Sequence, residues 1–276
     1  MEKILNYING ELVEPESGNY LENYNPSTGK VYSFIPDSEK SDIDNAVASA
    51  KQAFKTWSKT PKQERSDILM RLASTIEKHQ KELVKAESRD NGKPEKLAAH
   101  VDIPRAPANI RFFAGAILHD SSKTHEMDGV AFNYTLRQPI GVAACISPWN
   151  LPLYLLTWKV APAIAAGNTV VAKPSEVTPM TAYLFSKICI EAGLPKGVLN
   201  IVHGIGAKIG DPLTTHPDTP IVSFTGGTVT GKHIATVTAP MFKKLSLELG
   251  GKNPNIIFED ANFENAVSMA TRAAFT

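Results

Sequence analysis

The sequence predicts an α/β fold: a parallel sheet with flanking helices, an N-terminal helical segment and a projecting β-hairpin. From residue 141 onward, short apolar segments alternate with longer helical segments. Alternation at this spacing indicates parallel strands that are joined by right-handed crossovers. The predicted strands are residues 141–147, 169–173, 198–202, 220–224, 244–248 and 255–258, and the predicted helices between them are residues 151–166, 178–192, 206–215 and 229–239.

Short strands are also predicted before residue 141. Residues 4–34 contain turn signals at Asn9-Gly10 and at residues 26–29, which favour short strands and turns. Residues 120–137 are first polar and then alternate between apolar and polar side chains. This pattern predicts a hairpin that projects from the domain.

Helices fill most of the remaining N-terminal part. We expect Ser41 to cap the first helix. The second should begin at Thr60, close a capping box with Gln63 and bury residues as far as Leu83. A third helix is predicted over residues 101–118, with Asp102 as its cap and a proline in the first turn. These helices should pack onto the sheet.

Composition argues against several classes of protein. The 276 residues carry a net charge of +1, which does not suggest nucleic acid or an anionic membrane as partner. The N-terminus lacks the pattern of a secretion signal, and no apolar run approaches the ~18 residues of a membrane span. Two cysteines indicate a reducing compartment. These features predict a cytoplasmic protein. The seven histidines show no metal-binding spacing, so we expect no metal site and expect the histidines to lie in turns or at the surface.

Candidate site residues follow the predicted strands, because ligands of open parallel sheets bind outside the carboxyl ends of the strands. Ile146-Ser147-Pro148-Trp149-Asn150 is the first such segment. The amide of Asn150 could donate to a developing oxyanion, or Asn150 could simply form a turn. Lys173 and Glu176 follow the next strand. They could bind a ribose diol, which would favour NAD over NADP, or form a surface ion pair.

Two glycine-rich segments follow later strands. Gly204, Gly206 and Gly210 are spaced GxGxxxG, which fits either a ligand-binding turn or a tight turn alone. Residues 224–231, FTGGTVTG, come after the next strand and open a helix. Backbone N–H groups at such a helix start favour an anion such as a pyrophosphate, although a glycine-rich turn without a ligand is the alternative.

One glutamate and two cysteines are candidates for a direct role in a chemical reaction. Glu248 lies in an apolar strand end, where desolvation would raise the pKa of its carboxyl group toward that of a general base. Capping of Glu248 by the neighbouring Gly-Gly amides is the alternative. Cys145 and Cys189 lie in apolar surroundings, which favour a structural role in the core over a nucleophilic one.

Taken together, the motifs resemble those of the NAD(P)-dependent aldehyde dehydrogenase superfamily. The matching segments are ISPWN (146–150), KPSE (173–176), SFTGG (223–227) and LELGGKNP (247–254), in that family's order and spacing. The resemblance implies a Rossmann-like NAD-binding domain over residues 1–120 and 140–249. It further implies an oligomerisation hairpin at residues 121–139 and the start of a catalytic domain at residues 250–276.

The resemblance also implies roles for individual residues. Asn150 would be the oxyanion donor and Glu248 the general base that activates water, and the substrate would be an aldehyde. Gly227 stands where many members carry serine, which removes one hydroxyl contact to the pyrophosphate. The residues expected to contact NAD are Ile146, Ser147, Pro148, Trp149, Asn150, Lys173, Ser175, Glu176, Gly206, Gly210, Phe224, Thr225, Gly226, Gly227, Thr230, Leu249 and Gly250.

Three further segments resemble one branch of that family, the 2-aminomuconic and 2-hydroxymuconic semialdehyde dehydrogenases. They are residues 102–105, 109–115 and 148–163. In this branch an arginine is expected to hold the substrate carboxylate, and Arg105 is the candidate. A guanidinium suits bidentate capture of a carboxylate, whereas an ordinary helical salt bridge is the alternative role.

The catalytic cysteine of the family has no counterpart among these residues. The resemblance places it in a segment that would begin directly after residue 276, and neither Cys145 nor Cys189 occupies that position. We therefore expect the chain as written to be part of a longer, oligomeric enzyme and to lack dehydrogenase activity and ready solubility alone. A short, inactive module that binds a nucleotide or a partner protein is the alternative.

Overall fold

A computed structural model describes residues 1–251 and 254–275. Lys252 and Asn253 of the 247–254 motif, and Thr276, lie outside the described residues. The strands are β1 (Glu2–Lys3), β2 (Asn6–Ile8), β3 (Glu11–Val13), β4 (Tyr20–Asn25), β5 (Lys30–Pro36), β6 (Thr124–Met127), β7 (Ala131–Tyr134), β8 (Val142–Ile146), β9 (Thr169–Lys173), β10 (Leu199–Ile201), β11 (Ile221–Gly226) and β12 (Lys244–Leu249). The α-helices are α1 (Lys40–Trp57), α2 (Lys62–Lys78), α3 (Gln80–Asn91), α4 (Glu95–Leu97), α5 (Ile103–Ala116), α6 (Pro152–Ala165), α7 (Met180–Glu191), α8 (Gly206–Thr214), α9 (Thr228–Thr238) and α10 (Phe263–Phe275).

The main sheet has the strand order β12-β11-β8-β9-β10-β2-β3. Its first five strands are parallel, which confirms the predicted α/β architecture. The sheet is nevertheless mixed, because β2 pairs antiparallel with β10 and brings β3 with it. No local pattern marks this pairing, because its two strands lie far apart in the sequence.

The central strands are buried on both faces, as is usual for parallel sheets covered by helices. In β8, Ala143 and Cys145 join the apolar cluster formed with α2, α3, α5, α6 and α7. The alternate residues Val142 and Ala144 join a second cluster with α1, α8 and α9. A helical layer therefore covers each face of the central strands and leaves their ends open. No helix of the described residues has the length and apolarity needed to cross a bilayer.

The predicted helix starts were partly wrong. Helix α1 begins before Ser41, because the N–H group of Glu39 donates to the Asp42 carboxylate at 2.8 Å. Thr60 does not cap α2, since its hydroxyl donates backward to the carbonyl of Thr56. Gln63 closes no capping box with Thr60, because its amide donates to Asp67.

Two further helix predictions need correction. The helix predicted to reach Leu83 is broken at His79, where α2 ends and α3 begins. Asp102 precedes α5 as predicted but does not cap it with its side chain, because it ion-pairs with Lys93. The residues before α5 form a π-helix, Ala98–Asp102, rather than a simple helix start.

The strand predicted at residues 255–258 is absent. This segment pairs with no strand of the described residues, and its apolar side chains are exposed, Ile256 to 71% and Phe258 to 74%. A short apolar run indicates a strand only where a partner strand and a packing surface accompany it. The expectation for His203 was also wrong: this side chain is 1% exposed and lies in the interior.

The projecting hairpin is present as predicted. Strands β6 and β7 pair antiparallel and form a two-stranded sheet of their own. All of their side chains are exposed, including Phe132 and Tyr134. The hairpin therefore contributes no core to the domain.

Replacement of Gly197 by alanine should destabilise the fold more than replacement of Gly193. Both glycines have positive φ angles, +77° and +71°, so alanine is strained at each by about 1 kcal/mol. A Cβ atom at Gly197 would also lie 2.9 Å from the Ser49 carbonyl oxygen and the Ala53 Cβ atom of α1, whereas Gly193 faces open space. Urea unfolding should show a loss at least about 1 kcal/mol larger for Gly197→Ala. Equal losses in the free energy of unfolding for the two variants would show that α1 moves away from the added methyl group without an energetic penalty.

His203 should make the fold sensitive to acid. Burial foremost, and the charge of Lys173, lower the pKa of His203 to about 3. The unfolded state, with the ordinary pKa near 6.5, then binds more protons, so the free energy of unfolding falls as pH drops below about 6.5. Relative to His203→Gln, the wild type should lose about 2 kcal/mol between pH 7.5 and pH 5 in urea titrations. The exposed His100→Gln control should follow the wild type, and parallel curves for wild type and His203→Gln would contradict the assignment.

Candidate cofactor and active site

The site lies where the strand order of the sheet reverses. From β8 the chain proceeds through β9 and β10 on one side, and then returns to form β11 and β12 on the other. The carboxyl ends of β8 and β11 are therefore neighbours, and their connections diverge. Crevices at such a switch point are the usual ligand sites of open α/β sheets. Here a groove of about 730 Å³ opens beyond these strand ends.

The groove brings together most of the residues that we predicted to contact a cofactor. It also contains residues that the sequence reasoning missed, among them Asp211, Val229 and His233. Asn150, Leu249 and Gly250 are the predicted residues that do not line it. The predicted residues that do are Ile146, Ser147, Pro148, Trp149, Lys173, Ser175, Glu176, Gly206, Gly210, Phe224, Thr225, Gly226, Gly227 and Thr230.

One end of the groove is suited to an anion. Helix α9 begins directly after Gly227, so the N–H groups of its first turn have no partners within the helix. A Cβ atom at Gly227 would meet no atom within 4 Å, so a ligand can approach the backbone here. At Gly226, in contrast, a Cβ atom would lie 2.5 Å from the ring of Phe224. The two glycines therefore serve different needs, open access at Gly227 and close packing at Gly226.

Lys173 and Glu176 form an ion pair within the groove. The Lys173 ammonium lies 2.8 Å from Glu176 Oε2, and Lys173 is only 3% exposed. Glu176 Oε1 accepts a hydrogen bond from the N–H group of Gly206 at the start of α8. Burial raises the pKa of Glu176, but Lys173 and this N–H group outweigh it, so the pKa lies below its usual range. Glu176 is thus held ionised beside the groove.

The predicted catalytic side chains lie at the strand ends, but one environment differs from the prediction. Asn150 is exposed, and its carbonyl oxygen accepts a hydrogen bond from Lys93 Nζ at 3.0 Å. Glu248 is exposed as well, so the expected desolvation of its carboxylate was wrong. It lies on β12, the edge strand of the described sheet, which is paired on one side alone and offers little cover.

Lys159 is a buried cation that the sequence reasoning missed. It is 6% exposed, and its ammonium donates to the Ser223 hydroxyl at 3.2 Å. Burial lowers the pKa of Lys159, whereas Cys145 and the Glu248 carboxylate oppose that shift. A lysine within an apolar helix was the available signal, because lysine is rarely buried without a specific partner.

Both cysteines belong to the core, as predicted. Cys145 and Cys189 are fully buried within the same apolar cluster. Burial raises the pKa of the Cys145 thiol to about 12, and that of Cys189 higher still. Neither thiol is ionised at neutral pH, so neither provides a nucleophilic thiolate.

Arg105 has a cation–aromatic contact instead of the helical salt bridge considered as an alternative. Its guanidinium lies 4.9 Å from the ring centre of Tyr154 on α6. Among the described residues no carboxylate forms an ion pair with Arg105, whereas Arg111 on the same helix pairs with Glu77 at 2.6 Å. The guanidinium edge of Arg105 therefore remains available to a ligand.

Comparisons with known proteins agree with this geometry. Residues 12–276 match the model of the aldehyde dehydrogenase family. The chain is 52% identical over 271 residues to the 2-aminomuconic semialdehyde dehydrogenase of Bos taurus, covering 98% of this chain and 55% of that protein. It is 44% identical over 281 residues to the 2-hydroxymuconic semialdehyde dehydrogenase of Pseudomonas sp. (strain CF600), covering all of this chain and 58% of that protein.

Solved structures show the same architecture. The NAD⁺ complex of an aldehyde dehydrogenase from Bacillus cereus superimposes with a TM-score of 0.94 at 42% identity, over 97% of this chain and 55% of that one. The chain thus spans about half the length of the relatives it matches. The family match, the sequence identity and the shared fold lead to one conclusion: the chain belongs to the aldehyde dehydrogenase family.

Proposed function

We propose that the groove binds NAD and that the whole protein oxidises an aldehyde bearing a carboxylate, such as 2-aminomuconic semialdehyde, to the acid. The observation that carries this proposal is the gathering of the predicted cofactor residues around one groove at the sheet's switch point. The relatives named for semialdehyde oxidation support the substrate class. The NAD⁺ complex of a related enzyme supports the cofactor.

The residues of the groove fit a dinucleotide. The first turn of α9 would hold the pyrophosphate, since its N–H groups and the helix dipole favour negative charge. Lys173 and Glu176 would hydrogen-bond the ribose diol, and the ionised Glu176 would repel a ribose phosphate. When bound, the nicotinamide supplies a hydride acceptor. Trp149, which is 58% exposed at the groove wall, would cover part of the cofactor.

The aldehyde would react beside Asn150. Its side-chain amide is exposed and can donate to the oxygen that becomes negative when a nucleophile attacks the carbonyl carbon. Glu248 would activate the water that releases the acid. The thiolate nucleophile of the family's reaction has to come from elsewhere in the whole protein, because Cys145 and Cys189 are core residues.

Arg105 is proposed to hold the carboxylate of the substrate. Its stacking on Tyr154 fixes the plane of the guanidinium while leaving the hydrogen-bonding edge available. Tyr154 belongs to the first turn of α6, which starts two residues after Asn150. The proposed carboxylate site would therefore adjoin the helix that follows the proposed oxyanion donor.

A nucleotide-binding module without dehydrogenase activity is the second candidate function. It is favoured by one observation: the groove is built from the described residues alone, whereas both cysteines are buried.

Under either function we propose a cytoplasmic protein. The hairpin of residues 121–139 would dock on another subunit, because Val130, Phe132 and Leu136 are each at least 67% exposed. The NAD-binding domain would comprise residues 1–120 and 140–249, and the catalytic domain would begin at 250–276.

Glu176 should determine the choice of nucleotide. The purified chain should bind NAD more tightly than NADP in calorimetric titrations, and Glu176→Ser should shift the ratio of dissociation constants toward NADP by about tenfold or more, because it removes a negative charge near the ribose phosphate. Glu11→Ser breaks an ion pair of the same length, 2.8 Å to Lys196, outside the groove and serves as control. Absence of NAD binding would refute the cofactor proposal, and an unchanged ratio would refute the role of Glu176.

Arg105 should determine the preference for a charged aldehyde. In the whole protein, Arg105→Gln should lower kcat/KM for a carboxylated semialdehyde by roughly 10- to 100-fold, since a charge-assisted hydrogen bond contributes about 1.5–3 kcal/mol. Turnover of an uncharged aldehyde of similar length should change little. Arg111→Gln, on the same helix but ion-paired, is the matched control. Equal losses for both aldehydes would argue for a structural role of Arg105.

A further inference from the structure

The loop that carries Asn150 is held to the protein through its backbone. The N–H group of Ser147 donates to the carbonyl of Lys173 at 3.2 Å, which ties the start of the loop to β9. The carbonyl oxygen of Asn150 accepts hydrogen bonds from Lys93 Nζ at 3.0 Å and from Asn91 Nδ2 at 3.5 Å. Asn91 is the last residue of α3, and Lys93 follows two positions later. One carbonyl group of the loop thus contacts the C-terminal end of α3 and the residues after it.

Lys93 is held in turn by Asp102. Its ammonium lies 2.5 Å from Asp102 Oδ2, and the side chains are 15% and 2% exposed. A buried carboxylate of this kind is costly without its partner, so the pair is constrained to stay closed. Asp102 ends the π-helix, a feature that occurs frequently at functional sites.

The contact from Lys93 is to the backbone of Asn150, and the side chain of Asn150 remains exposed. Lys93 contacts the Asn150 carbonyl oxygen and not the amide group, and the residue as a whole is open to solvent. We propose that Lys93, backed by Asp102, is a positioning residue that fixes the Asn150 peptide and so aims the amide at the reacting carbonyl oxygen. This inference rests on the proposed function, in which Asn150 stabilises the oxyanion.

The double variant Lys93→Met/Asp102→Leu tests this role. It removes the ion pair and the hydrogen bond to the Asn150 carbonyl oxygen without leaving a buried charge unpaired. In the 276-residue chain, ¹⁵N relaxation should give backbone order parameters near 0.85 at Trp149 and Asn150 for the wild type and below about 0.6 for the variant. In the whole protein, kcat should fall by about 100-fold, as for loss of an oxyanion donor. The NAD dissociation constant should stay within about twofold, whereas general unfolding would change it.

Lys51→Met/Asp218→Leu is the matched control, since it removes an exposed ion pair of 2.7 Å remote from the loop. It should change neither the order parameters nor kcat. Lys93→Arg, which keeps a cation beside Asp102, should restore part of the lost kcat. If the double variant does not fold, Asp102→Asn, which retains an acceptor for Lys93, should give the same changes at smaller size.

Two results would overturn the proposal: rigid order parameters in the double variant, or a mobile loop with unchanged kcat. Absence of turnover in the wild-type whole protein would instead refute the proposed function. The order parameters of the chain would then still decide whether Lys93 fixes the loop.

Discussion

Burial of the central strands on both faces is the constraint on which the rest of the structure depends. Along β8 and β9, alternate side chains enter one apolar cluster or the other, so no position within these strands can carry an exposed polar group. Polar chemistry is displaced to the ends of the strands. Because parallel strands end at the same edge, the displaced groups meet there and form one groove. The same constraint keeps Cys145 of β8 un-ionised inside the core.

Three lysines with fixed partners organise this edge of the sheet. Lys173 is held by Glu176, Lys159 contacts Ser223, and Lys93 is held by Asp102. A buried ammonium needs fixed partners, since its loss of hydration is costly. Each of these cations therefore has a defined position, and each contacts a group at or near the end of a strand. Electrostatic contacts therefore hold the site together as well as packing does.

The sequence was sufficient for the parts of the fold that depend on local pattern. The parallel strands, their crossover helices and the hairpin each carry a periodicity or a turn signal of their own, and the groove follows from where the strands end. The mixed edge of the sheet could not be predicted, because the pairing of Tyr7 with Ile201 leaves no mark near either residue. The exposure of Glu248 and the burial of His203 were missed for a related reason: neighbours distant in sequence decide both. The Lys93–Asn150 contact likewise joins segments that show no shared motif.

The antiparallel edge of the sheet also has a consequence for synthesis on the ribosome. Asn6 accepts a hydrogen bond from the N–H group of His203, 197 positions later, and the N–H group of Asn9 donates to Asn200. At 5–20 residues per second, the segment of β2 and β3 emerges roughly 10–40 s before its partner strand. During that interval it is an isolated two-stranded hairpin, which is marginally stable in water. β2 and β3 are thus translated early but join the main sheet only after β10 has emerged, so this edge of the sheet depends on a hairpin that has persisted in the nascent chain.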